Sequence, residues 1–230
     1  MARFRDTLLL FRDLISRADS DIHLPTAALV MARIPYPDLD IQPHLQLLDR
    51  LANEAARELK DCEPASHLAR LTEIVFSELG FEGNTEDYYD PSNSCLNDVL
   101  ELRTGLPISL AVVYIAIAER CGRRTEGVGF PGHFLVRDLQ TGLLLDPFGL
   151  GQPVGKEELL DLLRRQGVED PEWNEDFVNA VGKRDILDRM LNNLRNAYQR
   201  RLDPERIEEV EALARTLGEV GDEGPGTLVQ

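Results

Sequence analysis

From Ser109 to Ala118 the chain reads Ser-Leu-Ala-Val-Val-Tyr-Ile-Ala-Ile-Ala, and beyond its first residue it offers no polar face at any helical angle. A helix that is apolar all round has to be surrounded by protein, because a surface helix keeps a polar stripe. Gly105 and Pro107 punctuate its entry, and Gly122 after Glu119-Arg120-Cys121 supplies a left-handed stop. At roughly a dozen residues it is far too short for a bilayer span, which needs about 20. The rest of the chain is therefore expected to wrap around a central core helix.

The segments after that helix are short and extended. Glu126 to Phe130 and His133 to Arg137 read as strands separated by the turn Pro131-Gly132, and Gly142 to Pro147 reads as a buried strand ended by proline. The order is central helix, then strands carrying a histidine and an aspartate.

Elsewhere the pattern is helical. Helices are expected over Phe4 to Ile15, Thr26 to Ile34, His44 to Leu59 and His67 to Leu79, with breaks at Pro25 and at Pro35-Tyr36-Pro37-Asp38. Lys156 to Arg165, Lys183 to Leu202 and a segment from Asp203-Pro204 to Leu217 continue the theme. The glycine-rich stretch Gly149 to Gly155 lacks phosphate-binding spacing and reads as a flexible connector. The final run, from Gly218, reads as a flexible tail.

Between Gly80 and Ser94 lies an aperiodic loop. It combines two tyrosines, Tyr88 and Tyr89, with Asn84 and Asn93 and several acidic side chains. Such groups pair apolar faces with hydrogen-bonding tips and can line a cleft for a peptide or an amine. The plainer alternative is an ordered loop whose tyrosines pack on the core.

Five stretches together resemble a known family: Asn84-Thr85-Glu86-Asp87-Tyr88-Tyr89-Asp90-Pro91-Ser92-Asn93-Ser94; Val99-Leu100; Arg103-Thr104-Gly105-Leu106-Pro107-Ile108-Ser109-Leu110; Pro131-Gly132-His133-Phe134-Leu135-Val136-Arg137; and Asp146-Pro147-Phe148. They resemble the transglutaminase-like superfamily, and within it the SirB-type branch of bacterial proteins, which often carry a tetratricopeptide-like helical tail. The resemblance spans residues 20–200 and is dense over 80–150. It implies an α+β fold, mostly helical, with a papain-like core in which a central helix packs on a small antiparallel sheet flanked by N- and C-terminal helices. It divides the chain into an N-terminal helical region (1–79), a core (80–155), a C-terminal helical remnant of the tetratricopeptide type (156–217) and the tail (218–230).

In that family a nucleophilic cysteine sits at the N-terminus of the central helix, with histidine and aspartate on the following strands. A helix N-terminus stabilises a thiolate and can hold an oxyanion; the histidine takes the nucleophile's proton and the aspartate orients the ring. His133 and Asp146 match the second and third roles. No cysteine matches the first. Ser109 stands at the helix entry, and the register leaves Pro107 and Ile108 as the other positions for the missing cysteine. Each residue also has an ordinary reading: Ser109 as the helix N-cap, His133 as a hydrogen-bonded turn residue, Asp146 as the closer of an Asx turn.

The three cysteines, Cys62, Cys95 and Cys121, form no pairing pattern and read as reduced thiols. Cys95, near a helix start after Ser92-Asn93-Ser94, is the alternative nucleophile, and the plainer reading is a small buried residue. His23, His44 and His67 show no metal-ligand spacing and read as surface or capping residues. No metal or other cofactor is expected.

A formal charge of −16 disfavours nonspecific attraction to nucleic acid or to an anionic membrane. The apolar run near the start is too short and too charge-flanked for an export signal, so a cytoplasmic protein is expected. Three functions remain open. The preferred one is a protein that uses a papain-like cleft to bind a peptide or protein partner without efficient catalysis, because the cysteine is absent. The second is an amide-bond hydrolase or acyltransferase using Ser109, or Cys95, with His133 and Asp146. A scaffolding role through the helical tail is the third.

Overall fold

The computed structural model describes residues 2–222 of the chain. Helices occupy α1 (Ala2–Ile15), α2 (Leu24–Met31), α3 (Gln42–Leu59), α4 (His67–Glu73), α5 (Leu96–Leu102), α6 (Pro107–Arg120), α7 (Lys156–Arg165), α8 (Lys183–Arg201) and α9 (Pro204–Asp222). The strands are β1 (Glu82–Gly83), β2 (Thr104–Gly105), β3 (Thr125–Val128), β4 (Leu135–Asp138), β5 (Leu144–Asp146), β6 (Gln152–Val154) and β7 (Ala180–Val181). The fold is α+β and mostly helical. An antiparallel sheet runs in the order β6-β5-β4-β3-β7, and β1 and β2 form a separate parallel pair.

The apolar helix is where its composition requires it to be. α6 packs on β3 and β4 on one side and on α2, α3, α5 and α8 around the rest. Its side chains from Pro107 to Tyr114 are all buried. Tyr114 stacks on Phe76 with ring centroids 5.6 Å apart, and its hydroxyl lies 3.1 Å from that of Thr72, so its buried polar tip has a partner. Gly122 ends the helix at φ +74°, the left-handed stop that its position predicts.

The sheet separates two apolar layers. Strand side chains alternate between faces, so on β4 Leu135 joins Leu159, Leu160 and Leu163 of α7, while Val136 points into the main core with α6. At one corner of the sheet, Arg123 holds Asp138 through two hydrogen bonds, Nε to Oδ1 at 2.5 Å and Nη2 to Oδ2 at 2.8 Å. That pair fastens the entry to β3 against the end of β4. Asp19 accepts from the backbone amides of Lys183 and Arg184 at 2.8 and 2.9 Å, capping α8 from a loop at the other end of the sequence. α9 packs along α8 and α1.

Several expectations need correcting. His133 lies in the turn ahead of β4, which begins at Leu135, rather than on the strand. The glycine-rich stretch expected to be a flexible connector contains β6, an edge strand where Pro153 is tolerated because one side of an edge strand forms no ladder bonds. The helix from His67 ends its regular α-turns at Glu73 and continues as a π-turn over Ile74–Glu78. α9 runs through Gly218 to Asp222, so the first part of the expected tail is helical; residues 223–230 of that tail lie outside the described residues. Among the described residues no helix is long and apolar enough to cross a membrane.

Candidate functional site

The β4–β5 pairing builds the site. Val136 stands opposite Leu145 and Arg137 opposite Leu144. Extending that register toward the start of β4 brings the turn carrying His133 alongside the end of β5, where Asp146 is the last residue. Pro131 and Gly132, the latter at φ +64°, make the turn, and the His133 amide closes it on the Phe130 carbonyl at 3.1 Å. The His133 Nε2 and the Asp146 Oδ1 are 2.8 Å apart. The same Oδ1 accepts the amide of Phe148 at 3.0 Å. Asp146 Oδ1 therefore closes an Asx turn and lies within hydrogen-bond reach of the imidazole at once.

An aromatic wall backs the pair. Phe148 meets the His133 ring edge-on at 6.2 Å and Tyr88 at 5.9 Å, and Tyr88 in turn meets Tyr89 at 5.3 Å. Burial, with Tyr89 beside it, raises the Tyr88 phenol above its ordinary value. Gly83 of β1 lets Phe148 come this close: a Cβ there would sit 2.5 Å from the Phe148 ring. The His133 side chain is 9% exposed and the Asp146 side chain 21%.

A cavity of about 170 Å³ opens in front of His133. Pro107 and Ile108, at the start of α6, form one side of it, with Tyr88, Arg189 and Asn193 among the others. The central-helix N-terminus and His133 thus share a cavity.

Ser109 does not line this cavity. It is fully buried; the N-cap is Leu106, and Ser109 is the third helical residue. Its hydroxyl donates to the Asn93 carbonyl at 2.6 Å, lies 3.1 Å from the Leu106 carbonyl and accepts the Leu106 amide at 2.9 Å. No hydrogen bond among the described residues joins it to His133.

The other sequence candidates occupy structural positions. Cys95 is the N-cap of α5, is 1% exposed, and its thiol is pushed well above the usual range, first by burial and then by the charges of Asp98 and Asp90. Such a thiol is a poor source of thiolate. Asn84 and Asn93 knit the loop: Asn84 Nδ2 donates to Asn93 Oδ1 at 3.0 Å, and Asn93 Nδ2 donates to the Asp87 carbonyl at 2.7 Å. Tyr89 lies under the Arg200 guanidinium, 3.6 Å from its ring centroid. His23 caps α2 by accepting the Thr26 amide at 3.3 Å. No group of three or more His, Cys, Asp or Glu side chains suited to a metal ion occurs among the described residues.

Sequence reasoning missed α8's contribution. Arg189, Asn192 and Asn193 all reach the cavity. Their only sequence signal is that they flank the apolar stripe Ile186, Leu187, Met190, Leu191 and Leu194, and a polar flank on an amphipathic helix is ordinarily solvent-facing.

The family model described as the transglutaminase-like superfamily matches residues 42–192, which run from the start of α3 into α8 and include both His133 and Asp146. A UPF0162 protein of Xylella fastidiosa (strain 9a5c) is 39% identical over 198 residues, covering 83% of this chain and 70% of the relative. A UPF0162 protein of Pseudomonas aeruginosa is 32% identical over 178 residues, 77% of this chain and 66% of the relative. The F-box only protein 21 of Mus musculus is 26% identical over 194 residues, 80% of this chain but 28% of that protein. No solved structure matches. By the extent of the family match and by its identity to the Xylella relative, this chain belongs to the transglutaminase-like superfamily.

Proposed function

We propose that the cleft beside His133 binds a peptide segment of a partner protein and does not turn it over efficiently. One observation carries the reading: the residues at the α6 entrance that share the cavity with His133 are Pro107 and Ile108, and neither side chain has a nucleophilic atom. The hydroxyl of Ser109, the next residue of the helix, is buried and used in the hydrogen bonds that shape the helix entry. Covalent catalysis requires nucleophile and base within hydrogen-bond reach. A binding cleft requires only a preformed cavity with polar groups at its edge, and the His133–Asp146 pair with its aromatic wall supplies one.

In this reading the chain is a SirB-type member of its superfamily, with residues 80–155 as the core and residues 156–217, where α8 pairs with α9, as the remnant of a tetratricopeptide-like tail. A single helical pair is too short to stand as a repeat array, and here it packs on the core and completes the cleft. It acts as a cytoplasmic adaptor.

The test is exposure of the wild type and of His133→Ala to a panel of serine- and cysteine-directed electrophiles, read by intact mass and peptide mapping. The binding reading expects no labelling beyond slow cysteine alkylation that is the same in both proteins. Labelling of Ser109 or Cys95 that disappears in folded His133→Ala would instead show an activated nucleophile, overturn the non-catalytic reading and favour an amide-bond hydrolase or acyltransferase.

A further inference from the structure

We infer that the cleft recognises the free C-terminal carboxylate of its peptide partner; the inference rests on the peptide-binding reading and names the group that is bound. The cavity carries a positive charge that the protein does not neutralise. Arg189 Nη2 donates to the Gly129 carbonyl at 2.8 Å, and Nη1 reaches the Phe130 and His133 carbonyls at 3.3 Å each. All three acceptors are neutral, and among the described residues no carboxylate forms an ion pair with this guanidinium. Two of its five N–H donors remain uncommitted. No aspartate or glutamate lines the cavity, in a chain whose formal charge is −16. The position is built: a Cβ at Gly129 would stand 2.8 Å from Arg189 Cζ, so glycine there makes room for the guanidinium.

Two further groups fit a chain terminus better than an acidic side chain. The His133 side chain is 9% exposed, its Nε2 faces Asp146, and Nδ1 has no hydrogen bond among the described residues. With the ring proton held on Nε2 by the carboxylate, Nδ1 is an acceptor, matched to the peptide N–H of a terminal residue. At the α6 entrance the Leu106 amide is taken by Ser109 and Pro107 has none, which leaves the Ile108 amide as a donor at the positive end of the helix. Guanidinium and amide donors for a carboxylate, an acceptor for the adjoining N–H, and Ile108 and Phe134 as apolar lining describe one C-terminal residue. A volume of about 170 Å³ is below the 300–1,000 Å³ typical of small-molecule sites, roughly as a single residue requires.

The experiment uses the full chain, immobilised, and two libraries of N-acetylated hexapeptides randomised over the last positions, one ending in a free carboxylate and one in a carboxamide. Captured sequences are read by mass spectrometry, resynthesised in both forms and titrated calorimetrically. The carboxylate form is expected to bind at least about tenfold tighter, as one charge-assisted contact provides. Asn193→Asp places an anion at the cavity, breaks no hydrogen bond of the described residues and is expected to remove that preference. Arg189→Met is expected to do the same, with its fold checked by circular dichroism. Equal binding of the two forms, or equal binding of carboxamide peptides with an internal Asp or Glu, would overturn carboxylate recognition and leave the peptide-binding reading standing. Capture from neither library would overturn both.

Discussion

The hydroxyl of Ser109 donates to the backbone carbonyl of Asn93 at 2.6 Å, joining the central helix to the tyrosine-bearing loop. In the same position it accepts the Leu106 amide. The side chain that the sequence offers as a nucleophile is a latch between two elements of the fold.

Ser109→Ala should therefore act on stability. It removes the nearer acceptor of the Leu106 N–H and one donor to the Asn93 carbonyl, leaving the two joined to each other at 3.3 Å, at a cost of about 0.5–1.5 kcal/mol for each bond lost. Urea denaturation monitored by circular dichroism reads this as a lower midpoint with unchanged slope. A variant as stable as the wild type would show that the latch is not made.

Asp146 should fix the tautomer of His133. Nε2 faces the carboxylate at 2.8 Å, so the neutral ring should carry its proton there. Nitrogen-15 NMR of the ring at mildly alkaline pH is expected to show the Nε2–H form in the wild type. In Asp146→Asn, where the carboxylate is gone and the side-chain carbonyl can still accept the Phe148 amide, a mixture of the two forms is expected. The same tautomer distribution in both proteins would exclude the orienting role.

The Arg123–Asp138 pair should govern stability in acid. Burial alone would raise the Asp138 carboxyl; the Arg123 hydrogen bonds, together with the Thr141 hydroxyl and amide, outweigh it and hold it below its ordinary value. A carboxyl depressed in the folded state stabilises fully above its unfolded value, and that contribution is lost as pH falls through the folded value. Stability should decline below about pH 4, and Asp138→Asn should flatten that part of the profile. At neutral pH the variant leaves Arg123 buried without its anion and should lose roughly 3–5 kcal/mol. Denaturant titrations across the acid range on both proteins check slope and magnitude together.

Cys95 should be silent in the folded protein. It is 1% exposed, and burial raises its thiol far above the usual range. Iodoacetamide labelling and peptide mapping are expected to find Cys95 modified only after denaturation, with Cys62, which is partly exposed, reacting first in the native state. Fast native labelling of Cys95 would reopen it as a nucleophile.

The features legible in the sequence are those set by local pattern. The central helix, its glycine stop, the Pro131-Gly132 turn and the aspartate before proline each arise from steric or periodic rules acting over a few residues. Other elements carry no such pattern. β1, β2 and β7 are two residues each, too short for any alternation, and exist because a neighbouring segment offers hydrogen-bonding groups in register. β6 hides in a glycine-rich run for the same reason. The N-cap falls three residues ahead of Ser109: serine is a good cap by type, but the extended backbone that marks the cap is at Leu106, where Pro107 begins the helix and Ser109 closes back on it.

Sequence alone determined that a fully apolar helix had to be the centre, that short strands would come after it in a segment carrying a histidine and an aspartate, and that no cysteine stood at its entry. Those are properties of composition and spacing, and they survive any packing. Tertiary structure decided which side chains share the cleft. Strand register brought His133 to Asp146, the helix entry put Pro107 and Ile108 at the cavity while turning Ser109 inward, and the docking of α8 delivered Arg189 from more than fifty residues away. A guanidinium on a polar helix flank becomes part of a site only when another surface closes over it, and closure is a long-range event that local pattern does not encode.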